Sequence, residues 1–369
     1  MGGIIEHARH RGGWRLALSA DPISDVAGWL REWDGDGALV LVQRPEEQAA
    51  LATLPFPVVN LSGHMGDLTM PTVMVDHQAI GRLAAEHLWE RGFTRFGYYG
   101  QDERWFSLER YRGFAAAIAA RGWRCERFVA PPELIGAAGW NAEQRALEAW
   151  LRTLRMPVGI LASNDALASI LMDACYRLGW QVPEDVAVVG VDNAVLTCES
   201  CLPTITSVSR SDHAVGRAAA ALLEALMHGA APPPGPILIP PDGVVVRQSS
   251  DTHAIEDPQV SLAVRWIRSR IAQSLTVTDL MGILGRSRRR VEGLFQEVLG
   301  ESPYQTICRL RIEHAKRLLT LAPGQPLATV AAACGIPDVR RLRLVFTRVA
   351  GCSPRRFVAE LTARQSPSA

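Results

Sequence analysis

Lysine is almost absent from this chain: Lys316 is the only one, so nearly all of its 39 basic side chains are arginine. A planar, permanently charged fork suits bidentate recognition better than an ammonium does, although a GC-rich genome would give the same bias. Long apolar runs are missing too. No stretch reaches the ~18 uninterrupted apolar residues of a membrane helix, and the chain does not open with a secretory leader, so a cytoplasmic protein is expected. Cysteine is sparse and odd in number, seven in all, which reads as reduced thiols. Cys198 and Cys201 have CxxC spacing, but zinc needs a second pair of ligands and no companion CxxC or HxxxH exists. No metal or cofactor is expected. Nor is there a nucleophile–base set or a phosphate loop in a plausible context, so an enzyme is not expected.

Charge is scarce in the sum and abundant in its distribution. The net value is only +1, yet residues 256–369 hold 18 basic and 9 acidic side chains, while the preceding residues hold 21 and 29. A basic tail on an acidic body points to a polyanion bound at one end. With 48% hydrophobic residues over 369 positions, two or three domains with sizeable cores are expected.

The basic tail repeats itself. Gly300-Glu301-Ser302-Pro303 returns as Gly351-Cys352-Ser353-Pro354, 51 residues on, and at that offset Phe295 falls on Phe346, Val291 on Leu342 and Arg290 on Arg341. A fixed interval means one supersecondary unit used twice. Each unit reads as a short helix, a turn near Gly285 or Gly335, and a second helix. In the first unit Val291, Leu294, Phe295, Val298 and Leu299 form one buried face, with Ser287 as N-cap. Arg288, Arg289, Glu292 and Gln296 point away from it. In the second unit Val339, Leu342, Phe346 and Val349 face inward, while Arg340, Arg341, Leu344 and Arg348 lie outside. An arginine-rich outer face entered after a tight turn suits a major-groove reader. Arg288, Arg289, Arg290, Gln296, Arg340, Arg341 and Arg348 are the candidate DNA contacts. One such unit alone could equally be a small bundle with an ordinary charged surface; two in tandem argue against that.

With Arg311, Ala315, Leu318-Leu319, Ala332 and Gly335 added, this segment resembles the AraC/XylS-type DNA-binding domain. It departs from that pattern at Arg341-Leu342, where an aromatic pair is usual, and at Thr347, where lysine is usual. The first reader is therefore expected to be the more sequence-specific.

Residues 1–250 alternate strand and helix. Strands are expected at Trp14–Leu18, Ala38–Gln43, Val58–Leu61, Thr72–Val75, Phe96–Tyr99, Cys125–Val129, Gly159–Ala162, Val186–Val191, Ile205–Val208, Pro236–Ile239 and Val244–Arg247. Helices fall at 77–91, 106–121, 140–155, 164–178 and 212–228. This alternation predicts parallel sheets flanked by helices, with a ligand beyond the carboxyl ends of the strands. The motifs Arg110-Tyr111-Arg112-Gly113-Phe114, Asn164-Asp165-Ala166-Leu167-Ala168, Val189-Gly190-Val191-Asp192-Asn193 and Pro203-Thr204-Ile205-Thr206 follow in order. Together they resemble the effector-binding core of LacI-type repressors and periplasmic sugar-binding proteins. The whole arrangement, sensor first and AraC-type reader last, resembles the xylose operon regulatory family.

The resemblance implies an α/β two-lobed periplasmic-binding-protein-like sensor followed by an all-α tandem helix-turn-helix domain. The sensor would span 1–247, with lobe 1 about 1–100 and 206–230 and lobe 2 about 104–202 and 236–247. Its lobe crossings would lie near 101–104, 202–206 and 230–236. A linker at 248–260 would lead to the reader at 261–369. The implied partners are an operator duplex, a xylose-like sugar, a second copy of the chain and RNA polymerase, with no membrane; the implied role is activation. The implied sugar contacts are Arg110, Asp192 and Asn164, and Trp105 offers a ring for a sugar face. A carboxylate, a guanidinium and an amide together can orient a polyhydroxyl ligand. Each has a plainer alternative: Arg110 and Asp192 pairing with each other, Asn164 capping its helix, Trp105 as core. Asp76 reads as an N-cap. A purine in the same cleft, or a solute-binding protein that touches no DNA, are the competing functions. The family fold starts with a central strand, whereas this sequence starts in the helix that should follow it; a natural start upstream of Met1 is expected.

Overall fold

The computed structural model describes residues 1–18, 26–101, 104–129, 140–252, 254–255 and 257–365. The chain divides into two units, Met1–Ala254 and Ile255–Ala369.

The first unit runs α1 (Gly2–Arg11), α2 (Val26–Arg31), β1 (Ala38–Val40), α3 (Pro45–Leu51), β2 (Val58–Asn60), β3 (Val73–Val75), α4 (His77–Trp89), β4 (Phe96–Gly100) and α5 (Trp105–Ala119). It continues β5 (Cys125–Val129), α6 (Trp140–Leu151), β6 (Val158–Ala162), α7 (Asp165–Arg177), β7 (Val186–Val191), α8 (Val195–Ser200), β8 (Thr206–Ser209), α9 (Asp212–Met227), β9 (Ile237–Ile239) and β10 (Gly243–Val245). In one lobe β1 pairs with β2 and β3 with β9, all parallel, and a single bridge from Asn60 to Thr72 joins the pairs. The other lobe holds a six-stranded sheet in the order β10-β8-β7-β6-β4-β5, parallel except for β10. Every residue of β4, β6 and β7 is buried, because helices cover both faces; these strands therefore read as unbroken apolar runs instead of alternating.

Three expectations need correcting. Residues 14–18 form no strand and pair with none of the described strands; Trp14 instead packs on the core beside His7. The strands are also divided differently between the lobes. β4 and β8, expected in lobe 1, belong to the six-stranded sheet, and β9, expected in lobe 2, pairs with β3. The chain thus crosses between lobes at Val75–His77, Ser209–Asp212 and Ile239–Gly243. The expected crossings near 101–104 and 202–206 are loops at strand ends, and 230–236 joins α9 to β9 within one lobe; residues 102 and 103 lie outside the described set. The true crossings are tied together. The Asp76 amide donates to the Ile239 carbonyl at 2.7 Å, the Asp242 amide to Ser209 at 3.0 Å, and Ser211 Oγ lies 2.6 Å from Asp242 Oδ1.

The third correction concerns the linker. Residues 248–250 form a 3₁₀ turn inside the sensor, with Ser249 Oγ donating to the Val188 carbonyl at 2.6 Å and Ser250 buried beside His87. At the other end, Asp257 caps and Pro258 starts the first helix of the second unit, α10 (Pro258–Ser269). Of the expected linker only 251–257 remain, and 253 and 256 lie outside the described residues.

The second unit continues α11 (Val277–Leu284), α12 (Arg288–Leu299), α13 (Pro303–Leu321), α14 (Leu327–Ala333), α15 (Val339–Ala350) and α16 (Pro354–Gln365). The repeated Gly-x-Ser-Pro is helix punctuation. Gly300 ends α12 at φ 68° and Gly351 ends α15 at φ 72°, a left-handed conformation that a Cβ disfavours. Ser302 then caps α13, with Pro303 in its first turn, where no amide is needed. Two cores result. Val260, Ile267, Leu280, Val291, Phe295, Ile307 and Leu310 form one; Ile312, Ala315, Leu319, Val330, Leu342 and Phe346 form the other. Helix α13 contributes to both. Among the described residues no helix is long and apolar enough to cross a membrane.

Candidate effector site and DNA-reading helices

The strand order fixes where the sensor's site can lie. From β4 the chain goes outward to β5, then returns to place β6 on the other flank of β4, which makes β4/β6 the switch point of the sheet. Crevices at such points, beyond the carboxyl strand ends, are where open α/β sheets hold ligands. Helix α5 starts above this end and carries Arg110.

Arg110 is held there by close helix packing. A Cβ on Gly113 would lie 2.1 Å from the Gln78 carbonyl oxygen, and one on Gly81 would lie 2.1 Å from the Arg110 carbonyl oxygen, so α4 and α5 touch backbone to backbone. The arginine is 1% exposed. It donates to the Ser163 carbonyl after β6 and to Asp192 Oδ1 at 3.1 Å, and its guanidinium lies 4.9 Å from the Phe106 ring centre. Burial pulls its pKa down, and the Asp192 carboxylate opposes that pull.

Asp192 follows β7 in an unusual backbone conformation, φ 105°, and Asn193 comes next at φ 51°. Side-chain-bearing residues hold such geometry only where their surroundings enforce it, commonly at functional sites. Here the Asp192 amide donates to the Val208 carbonyl, the Asn193 amide to Ser207 Oγ, and the Ala194 amide to Asp165 Oδ2 at 2.7 Å. Asp165 is buried, and desolvation raises its pKa; it anchors this turn from below.

Arg110 and Asp192 therefore do pair with each other, and both remain at the crevice: the Asp192 side chain is 34% exposed. Asn164 is an N-cap, its Oδ1 accepting from the Leu167 amide at 2.8 Å, which leaves only its Nδ2 for another partner. Trp105 opens α5 half-buried. Its amide and that of Phe106 donate to the His64 and Gly63 carbonyls of the other lobe, at 3.1 and 3.0 Å. Asp76 caps α4 as expected, accepting from the Ala79 amide.

Two residues here were not anticipated. Arg210, in the second crossing, forms a fork on Asp212 and reaches Asp192 at 3.6 Å. His77 is 6% exposed, and neither ring nitrogen has a hydrogen-bond partner. Its ring meets Trp105 edge-on at 5.9 Å. Burial, then the charges of Arg110 and Arg210, pull its pKa down to about 2, so it is a neutral imidazole. Only its place after the capping Asp76 could have signalled it.

In the second unit the two outer faces are as expected in position and unequal in charge. On α12, Arg288, Arg289, Arg290 and Gln296 are exposed, but Arg288 is paired with Glu292 at 2.9 Å. Ser287 occupies the N-cap position without a side-chain cap bond. On α15, Arg340, Arg341 and Arg348 are exposed and are joined by Arg343, unanticipated although it sits three residues after Arg340. Arg341 reaches the Tyr304 hydroxyl, and Asp338 caps the helix. The inward residues are Leu342, Val345 and Phe346; Val349 is exposed.

Residues 85–250 match the periplasmic binding protein-like domain family, and residues 280–360 match the helix-turn-helix domain family. The chain is 30% identical over 338 residues to the xylose operon regulatory protein of Escherichia coli (strain K12), covering 89% of this chain and 85% of that one. The chain belongs to the xylose operon regulatory protein family. The counterpart from Haemophilus influenzae is 30% identical over 290 residues, 78% of this chain and 74% of that one. A structure of the xylose-binding transcription activator xylR is similar across 97% of this chain and 93% of its own, with TM-score 0.77 and 27% identity. The protein is a transcription regulator that carries a helix-turn-helix domain. The two-lobed α/β sensor and tandem helix-turn-helix reader expected from the sequence are both present.

Proposed function

We propose that the regulator senses a xylose-like pentose at the β4/β6 crevice and, as a homodimer on operator DNA in the cytoplasm, activates transcription with RNA polymerase. Arg110 and Asp192 would bond sugar hydroxyls, Asn164 Nδ2 would donate a third bond, and the Trp105 ring would cover a sugar face. Arg210 and His77 join this set. The observation that carries the proposal is the buried Arg110 guanidinium fixed to Asp192 on a strained turn: a costly arrangement of donors and acceptors, kept at the one edge of the sheet suited to a ligand.

Closure supplies the switch. The lobes meet where the α5 amides bond the Gly63 and His64 carbonyls, so a ligand in the crevice beside this seam favours the closed form only by its differential affinity for it. On DNA, Arg288, Arg289, Arg290 and Gln296 would serve one groove and Arg340, Arg341, Arg343 and Arg348 the next. Calorimetric titration with D-xylose, other pentoses, hexoses and adenine tests the effector. Saturable heat with D-xylose, and altered DNA binding in its presence, is expected. Binding of adenine but of no sugar would overturn the effector assignment, and failure to retain any duplex would overturn the regulatory one.

A further inference from the structure

At the centre of each reading face stands a residue with no hydrogen-bonding side chain. On α15 it is Leu344, flanked one helical turn away by Arg340, Arg341, Thr347 and Arg348. On α12, at the repeat interval of 51, it is Gly293, flanked by Arg289, Arg290, Gln296 and Glu297. Leu344 is 50% exposed, a large apolar side chain with arginines on either side. It lies in a shallow depression with Val339, Arg340, Arg343, Thr347 and Arg348.

An isolated surface leucine usually needs no explanation. This one has a specific setting. The positive charge around it fits a polyanion, and a helix lying in the major groove turns the middle of its outer face toward base edges. The apolar group that the major groove offers is the thymine 5-methyl. Gly293 shows the contrast: a Cβ there would meet nothing within 4 Å, so the glycine leaves the same place on α12 without an apolar group.

We infer that Leu344 is a specificity residue that reads a thymine methyl in the half of the operator under α15, and that α12 has no counterpart. This rests on α15 being a DNA reader, as proposed above. Arg340 and Arg348 then clamp phosphates or guanines on either side, while Leu344 selects thymine between them without a hydrogen bond.

The test uses the full chain and a duplex that it selects from a random-sequence pool. Each thymine under α15 is replaced by deoxyuridine, which removes only the methyl. Covering one methyl is worth about 0.8 kcal/mol, so a loss of about fourfold in affinity is expected at one position. Leu344→Ala should bind the thymine and deoxyuridine duplexes equally, while Arg340→Ala should weaken both alike and keep the ratio. Leu344 is exposed, so the alanine variant should fold; a melting curve checks this. The inference is overturned if no thymine lies under α15, if no methyl matters, or if Leu344→Ala keeps the methyl preference. If Arg340→Ala and Arg343→Ala both leave duplex affinity and its salt dependence unaltered, it is the reader assignment of α15 that fails.

Discussion

Replacing Asp192 with alanine removes the carboxylate that faces Arg110 across 3.1 Å. A hydrogen bond to a charged group is worth ~1.5–3 kcal/mol, so sugar affinity should fall by roughly 10- to 150-fold. Stability should fall as well, but by less than the ~3–5 kcal/mol typical of breaking a fully buried pair. Asp192 is a third exposed, and Arg110 keeps its bond to the Ser163 carbonyl, so a loss of about 1–2 kcal/mol is expected. The backbone supplies an internal control. At φ 105° a side chain is strained, which costs of order 1–3 kcal/mol. Asp192→Gly should therefore be more stable than Asp192→Ala by roughly 1 kcal/mol, although it binds sugar equally poorly. Calorimetry with D-xylose and thermal melts read the two effects, and duplex binding without sugar should be unchanged in both variants. A folded Asp192→Ala protein with wild-type sugar affinity would refute the site. A glycine variant no more stable than the alanine one would refute the strain.

Asn164→Ser keeps a capping oxygen and removes the amide donor, so it should weaken sugar binding at unchanged melting temperature; Asn164→Ala should also cost ~1 kcal/mol of stability. Stability should decline in acid. Burial holds His77 at about 2 and His87 at about 3, whereas the unfolded chain takes up those protons near pH 6.5. Below pH 6.5 the unfolded state binds more protons, so stability drops by up to ~1.4 kcal/mol per pH unit per histidine, until the native pKa is reached. Urea unfolding between about pH 7 and pH 5 should show this, with a shallower slope in His87→Asn; equal slopes would contradict it. The double variant of Arg288 and Arg289 to alanine should lose operator affinity, and a footprint should exceed one helical turn per protomer. The 19 residues of α13 span ~28 Å, close to the ~34 Å between successive major grooves once a helix width is added. An unaltered affinity, or a footprint shorter than one turn, would count against two-groove reading.

Periodicity made most elements legible. Buried strands such as Val186–Val191 announce themselves as apolar runs, and the Gly-x-Ser-Pro repeat marks helix ends because its glycine, serine and proline each have a separate backbone task. What stayed hidden was pairing. Nothing in Phe96–Gly100 or Ile237–Ile239 says which sheet each strand joins, since neighbours are chosen by long-range packing. The site was half visible for the same reason. Arg110 and Asp192 lie in recognisable motifs, whereas Arg210 and His77 reach the crevice only because the crossings bring them there. Asn164 shows the converse: a polar residue before a helix is used by that helix first.

Helix α13 has a mechanical consequence. Ile307 and Leu310 are buried in one reading unit, Ile312 and Leu319 in the other, with no hinge of loop between them. The two reading helices of a protomer are therefore mounted like the jaws of a fixed-gauge caliper. In the homodimer proposed above a bound ligand could not reset that gauge. It could act only on how one caliper is presented relative to its twin, so the spacing within each half of the operator would be a constant of the chain, and the effector would write its message solely in the interval between halves.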